Sequence, residues 1–79
     1  MSRVVTISRL RPLPRRKVIE ILKVHGFESV RWKGDHEQFK KKGQETKFTT
    51  VPNYPEIDVY LLKWIMKQTG IPREEFTTD

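Results

Sequence analysis

Phe27-Glu28-Ser29-Val30-Arg31-Trp32-Lys33-Gly34-Asp35-His36-Glu37-Gln38-Phe39-Lys40-Lys41 reads as two strands joined by a tight turn, and the fold follows from it. Phe27 to Lys33 sets Val30 and Trp32 on one face and Ser29 and Arg31 on the other. Lys33-Gly34-Asp35-His36 is a hairpin turn in which glycine supplies the positive φ, and His36 to Lys41 is the returning strand. The polar run Lys42-Gly43-Gln44-Glu45 breaks the period and makes a second turn. Lys47-Phe48-Thr49-Thr50-Val51 then forms a third strand, β-branched and aromatic, closed by Pro52. Pro52-Asn53-Tyr54-Pro55 is a connection, because two prolines and an asparagine cannot continue a ladder.

Helices flank this meander. From Pro14, suited to a first helical position, Val18, Ile21 and Leu22 recur at spacings of three and four, with Ile19 widening the stripe. Gly26 ends that helix, and His25 sits where a cation complements the helix C-terminal dipole, a structural role. After the third strand, Leu61, Leu62, Ile65, Met66 and Thr69 form a second stripe, with Asp58 as cap and Gly70 as stop. Met66 and Trp64 are assigned to core or rim packing rather than to a cofactor box. Pro72 to Phe76 allows one further turn, with Phe76 folding back on the core. The order is αβββα, an α+β fold in which two helices cover one face of a three-stranded antiparallel sheet, since each apolar face must be buried on another.

At 79 residues the chain is long enough for one small domain, and with no cysteine it has no disulfide staple, thiol nucleophile or Cys-based zinc site. Residues 14–79 carry the domain pattern. Residues 1–13 mix Val4-Val5-Thr6-Ile7 with Arg3, Arg9 and Arg11, which fits a basic arm, an added edge strand or an ordinary flexible terminus. Sixteen Lys and Arg against ten Asp and Glu leave a formal charge of +6, which favours a polyanion such as nucleic acid. No apolar run is long enough to span a bilayer and no signal-peptide core opens the chain, so a cytoplasmic location without membrane association is expected.

His36 is the residue whose presence needs explaining. A turn histidine cannot hold a metal unaided, but an imidazole titrates near neutral pH and can move a proton to or from a hydroxyl. Arg31, Lys33, Lys40 and Lys47 are the cations nearest in sequence, and alternation gives Lys40 the same strand face as His36 while Asp35 and Glu37 point the other way. Lys40 is therefore the first electrostatic partner expected for His36. Lys40-Lys41-Lys42 reads either as a solvated edge or as a phosphate contact. Trp32 and Phe39 could stack bases, although an aromatic in a strand is more often core. Asp35, Glu37, Glu56 and Asp58 match no recognised metal spacing, so neither metal nor small-molecule cofactor is expected. Without further context a histidine at a hairpin is ordinarily just a polar strand residue.

That context comes from a resemblance. Leu22-Lys23-Val24-His25-Gly26-Phe27, Val30 to His36 with Phe39, Thr50-Val51-Pro52, and Leu61 through Ile71, in this order and spacing, resemble the HicA toxins of bacterial and archaeal toxin–antitoxin systems over nearly the whole chain from Pro14 to Phe76. The resemblance implies a double-stranded-RNA-binding-domain-like αβββα fold, an endoribonuclease acting on mRNA (an mRNA interferase), and inhibition by a HicB-type antitoxin. In the family a Gly-Ser-His pattern carries the catalytic histidine; Gly34, Asp35 and His36 match it, with Asp35 in place of the serine. Pro14 and Arg15 depart from a small polar residue and a glycine common there, and residues Met1 to Leu10 extend beyond the usual start. The expected site is thus His36 as catalytic residue, with Arg31, Lys33, Gly34, Lys40, Lys41 and Lys47 on RNA. The alternative is a non-catalytic RNA-binding or antitoxin-binding domain of the same fold.

Overall fold

Both main helices are closed by the local chemistry of their ends in the computed structural model, which describes residues 9–77. Helix α1 (Arg15–Val24) buries Val18, Ile21 and Leu22. Its end is a Schellman motif: Phe27 N–H donates to Leu22 O at 2.9 Å, Gly26 N–H donates to Lys23 O at 3.0 Å, and Gly26 takes φ +91°. His25 is the C-cap, and its Nε2 lies 3.3 Å from Glu75 Oε1. Helix α2 (Val59–Thr69) starts where Asp58 Oδ1 accepts the Leu61 N–H at 2.9 Å and stops at Gly70 with φ +76°. Leu62, Ile65 and Thr69 are its buried residues, and Met66 packs against the core at its margin. A 3-10 helix over Arg73–Phe76 returns Phe76 to the core.

The helix start at Pro14 needs correction. Pro14 is the N-cap, with ψ 141°, because Leu13–Pro14 is a two-residue strand (β1) paired antiparallel with Glu56–Ile57 (β5). A proline holds the residue before it extended, and that favours the ribbon over an earlier helix start. Leu13 is buried and Leu10 packs against the core, so the fold recruits residues from the end of the basic arm. The Val4 to Ile7 run lies outside the described residues.

Strands β2 (Glu28–Lys33), β3 (His36–Lys41) and β4 (Lys47–Pro52) form the expected antiparallel meander. Register separates two faces. Glu37 opposite Val51, Phe39 opposite Thr49 and Lys41 opposite Lys47 lie on the helix-covered face, where Phe39 and Val51 are fully buried. His36 opposite Pro52, Gln38 opposite Thr50 and Lys40 opposite Phe48 form the open face. The β2–β3 ladder carries a bulge: Ser29 faces Phe39 and Arg31 faces Gln38, leaving Val30 as the extra residue. Strict alternation is broken there, so Trp32 shares a face with Ser29 instead of Val30, which is 50% exposed. Together these elements make an α+β, double-stranded-RNA-binding-domain-like fold in which helices and sheet share a core of Phe27, Phe39 and Phe76 with the aliphatic residues around them.

Arg15 joins the layers. Its N–H donates to Pro55 O at 3.0 Å, its Nε to Pro52 O at 2.9 Å and its guanidinium to Glu37 Oε1 at 2.6 Å, while the guanidinium carbon lies 5.1 Å from the Trp32 ring centroid. Burial alone pushes the Glu37 carboxyl up, but hydrogen bonds from Ser29 and Arg15 and attraction to Arg15 and Lys23 outweigh it, leaving the group below its ordinary value of 4.5. With the two side chains only 19% and 13% exposed, Arg15→Ala leaves a largely buried carboxylate without its ion-pair partner. It is expected to cost about 2–4 kcal/mol in urea denaturation at pH 7. A carboxyl lowered in the folded state contributes stability above 4.5 that is lost as pH falls through the folded value. Glu37→Gln should remove that acid-limb dependence, and an unchanged acid limb would show that the carboxylate is not linked to folding.

Candidate active site

The site is built on the hairpin between β2 and β3. Gly34 has φ +62° and Asp35 has a negative φ, the sign pattern of a type II′ turn, whose twist matches the strands it joins. The turn sets Lys33 directly opposite His36, and Asn53 N–H donates to Asp35 O at 2.8 Å, tying the turn to the segment after β4. His36 therefore has a fixed backbone with a side chain left 50% exposed. Its Nδ1 lies 3.0 Å from Asp35 Oδ1. Alternation aims the two residues apart, but Asp35 belongs to the turn and not to the strand, so its carboxylate can swing back to the ring. A carboxylate only accepts, so a hydrogen bond across this contact would use a proton on Nδ1.

Around His36 the open face is a grid. Lys33, His36 and Pro52 form one row; Arg31, Gln38 and Thr50 form the next, with Arg31 Nε donating to Gln38 Oε1 at 2.9 Å. Glu28, Lys40 and Phe48 form the third, with Lys40 Nζ 5.7 Å from the Phe48 ring centroid. Lys33 and Arg31 are thus the cations nearest His36. Lys40 shares the face as expected but stands four residues along the strand, about 13 Å away, too far to meet the same phosphate oxygen. Lys41 and Lys47 belong to the other face: Lys41 Nζ lies 5.9 Å from the Phe27 ring centroid, and Lys47 Nζ donates to Thr69 O, the end of α2, at 3.4 Å. The structure does not bring these two to His36, because odd positions of β3 and β4 face the helices.

The aromatic candidates move as well. Phe39 is buried and Trp32 lies beneath Arg15 on the helix side, so neither shares the His36 face. In their place His36, Thr50, Pro52, Tyr54, Leu61, Trp64 and Gln68 line a groove of about 270 Å³ between the open sheet face and α2. Trp64, assigned by sequence to core or rim packing, is 58% exposed on the groove wall. The signal that could have found it is the stripe Tyr60, Lys63, Trp64, Lys67, which runs at helical spacing opposite the apolar stripe.

The carboxylates have separate employments: Glu37 pairs with Arg15, Asp58 caps α2 and Asp35 meets His36. Among the described residues no three His, Cys, Asp or Glu side chains group as metal ligands, and no helix is long and apolar enough to cross a membrane. A Cβ at Gly34 would meet no atom within 4 Å, so the glycine answers only to its φ. Gly34→Ala should therefore cost about 1–2 kcal/mol by chemical denaturation. A smaller loss would show that the turn does not depend on this conformation.

The comparison with known proteins agrees with the geometry. Neither a curated protein nor a solved structure matches the chain. A family model described as HicA toxin of bacterial toxin–antitoxin matches residues 15–71, a span from the first residue of α1 to just beyond the Gly70 stop that contains the sheet, the hairpin and His36. That match covers well over half of the 79 residues, and the chain belongs to the HicA toxin family.

Proposed function

We propose that the protein is an endoribonuclease that cleaves mRNA by metal-independent acid–base chemistry at His36, held in check by a HicB-type antitoxin. The observation that carries this reading is a half-exposed imidazole, its Nδ1 3.0 Å from Asp35 Oδ1, beside Lys33 and Arg31 on an open sheet face. RNA brings its own nucleophile. The 2′-oxygen attacks the adjacent phosphorus, the bond from phosphorus to the 5′-oxygen breaks, and Nε2 of His36 takes the 2′ proton while the departing oxygen takes one from water. Lys33 and Arg31 supply positive charge where the phosphorane becomes more negative. Asp35 stands where the family has serine; its carboxylate holds the ring instead of offering a hydroxyl. An acidic antitoxin surface laid over Gly34 to Phe39 would meet the cations beside this segment and cover the histidine.

Cleavage of RNA by the purified protein should persist in chelator and leave 2′,3′-cyclic phosphate ends or their hydrolysis products. Strict magnesium dependence or 5′-phosphate ends would sink this chemistry in favour of a metal site. His36→Ala should lower kcat by about 10²-fold or more while RNA affinity and stability hold. Retained RNA binding by a wild-type protein that never cleaves would mark a non-catalytic domain instead.

Asp35 offers a separate check. Asp35→Ala should lower kcat more than KM changes, and Asp35→Asn, whose amide oxygen can still accept from Nδ1–H, should restore most of the loss. Equal kcat in all three proteins would reduce Asp35 to a turn former.

A further inference from the structure

We propose that the outer flank of α2 is a base-stacking subsite for single-stranded RNA, entered from the His36 groove over Trp64. Tyr60, Lys63, Trp64 and Lys67 stand at helix spacings of three and four and line a second groove of about 280 Å³. Trp64 lines both grooves, so the two adjoin at its ring. Two large rings are held in water there, Tyr60 at 79% and Trp64 at 58% exposure, although neither is needed by the core. Lys67 Nζ lies 5.5 Å from the Trp64 ring centroid. Helix α2 carries no acidic residue, and the charged residues lining this groove are Lys63 and Lys67.

Rings alternating with cations select a polyanion whose repeating unit has a flat face. Tyr60 and Trp64 are about 6 Å apart along the axis, from a rise of 1.5 Å per residue, wider than the 3.4 Å step of a stacked strand. A base can thus sit on each ring only when it is not stacked on its neighbour, which favours single strands over a duplex. The two lysines then meet the phosphates between. This subsite extends the nuclease reading, since the groove delivers the strand to His36, but its binding is measurable without cleavage.

The test uses the full chain as His36→Ala protein with a single-stranded RNA of about ten nucleotides. Binding should quench tryptophan fluorescence, and the quench should vanish in the His36→Ala, Trp64→Phe double variant, which leaves Trp32 as the only tryptophan. An abasic strand of equal charge should bind about tenfold or more weakly. In the active protein Trp64→Ala should raise KM by about tenfold, and Trp64→Phe should recover most of that loss. Replacing Lys63 and Lys67 by Gln should lower the salt slope of binding by about 1.4. Undiminished RNA affinity in Trp64→Ala, or equal affinity for the abasic strand, overturns the subsite. Loss of inhibition by an acidic protein partner with RNA affinity intact also overturns it, by showing a protein interface. Quenching by a wild-type protein that never cleaves would leave the subsite standing and remove the nuclease reading.

Discussion

The contacts of Arg15 are the constraint on which the rest of the protein depends. One side chain at the start of α1 reaches Pro52 at the end of β4, Glu37 in β3 and Trp32 in β2, so a single guanidinium sees all three strands. A planar guanidinium suits this work better than an ammonium, because it can donate in two directions and present a face to a ring. Glu37 follows His36 in sequence and Pro52 stands opposite it in register. Fixing these two from the covered side fixes the backbone of the histidine on the open side.

Strand β3 shows why that matters. Its odd residues face the helices, Glu37 in the Arg15 contact, Phe39 in the core and Lys41 over the Phe27 ring, and its even residues make the open face, so one slip in register would bury the histidine and expose Phe39. The bulge at Val30 completes the arrangement. The hairpin itself sets Lys33 beside His36 and Arg31 beside Gln38; beyond Arg31 the extra residue shifts the pairing, so that Ser29 meets Phe39 on the covered face and Glu28 meets Lys40 on the open one. The cations beside His36 are therefore set by the turn, and the irregularity in β2 decides only which residue, Glu28, stands beside Lys40.

What could be read from the sequence was what its neighbours in the chain decide. Asp58, Gly70, Gly26 and Gly34 act over three or four residues, so both helix ends and the hairpin follow from local chemistry. The β1–β5 ribbon and the bulge depend on partners distant in the chain, and period counting cannot see either. The same limit applies to the site. Strand alternation made Lys40 legible on the face of His36, whereas Arg31, Lys33 and Lys47 rested on nearness in sequence and Lys41 on its lysine run; the register sets Arg31 and Lys33 on that face and turns Lys41 and Lys47 to the covered side. Trp64 was overlooked because an apolar stripe on a helix draws attention to the face that packs, and the groove exists only where that helix lies against β4.

Position 35 supplies the carboxylate that meets the His36 ring. The Asp35 carboxylate and the His36 ring are 70% and 50% exposed, so water screens their contact and it biases the ring toward one orientation without locking it. A polyanion lying across the open face would displace that water and lower the local dielectric, strengthening the interaction between the carboxylate and the ring. An orienting group drawn from the turn itself needs no further residue from the core. In a domain whose interior is filled by three phenylalanines and their aliphatic neighbours, a surface dyad on a rigid hairpin is an economical place for chemistry.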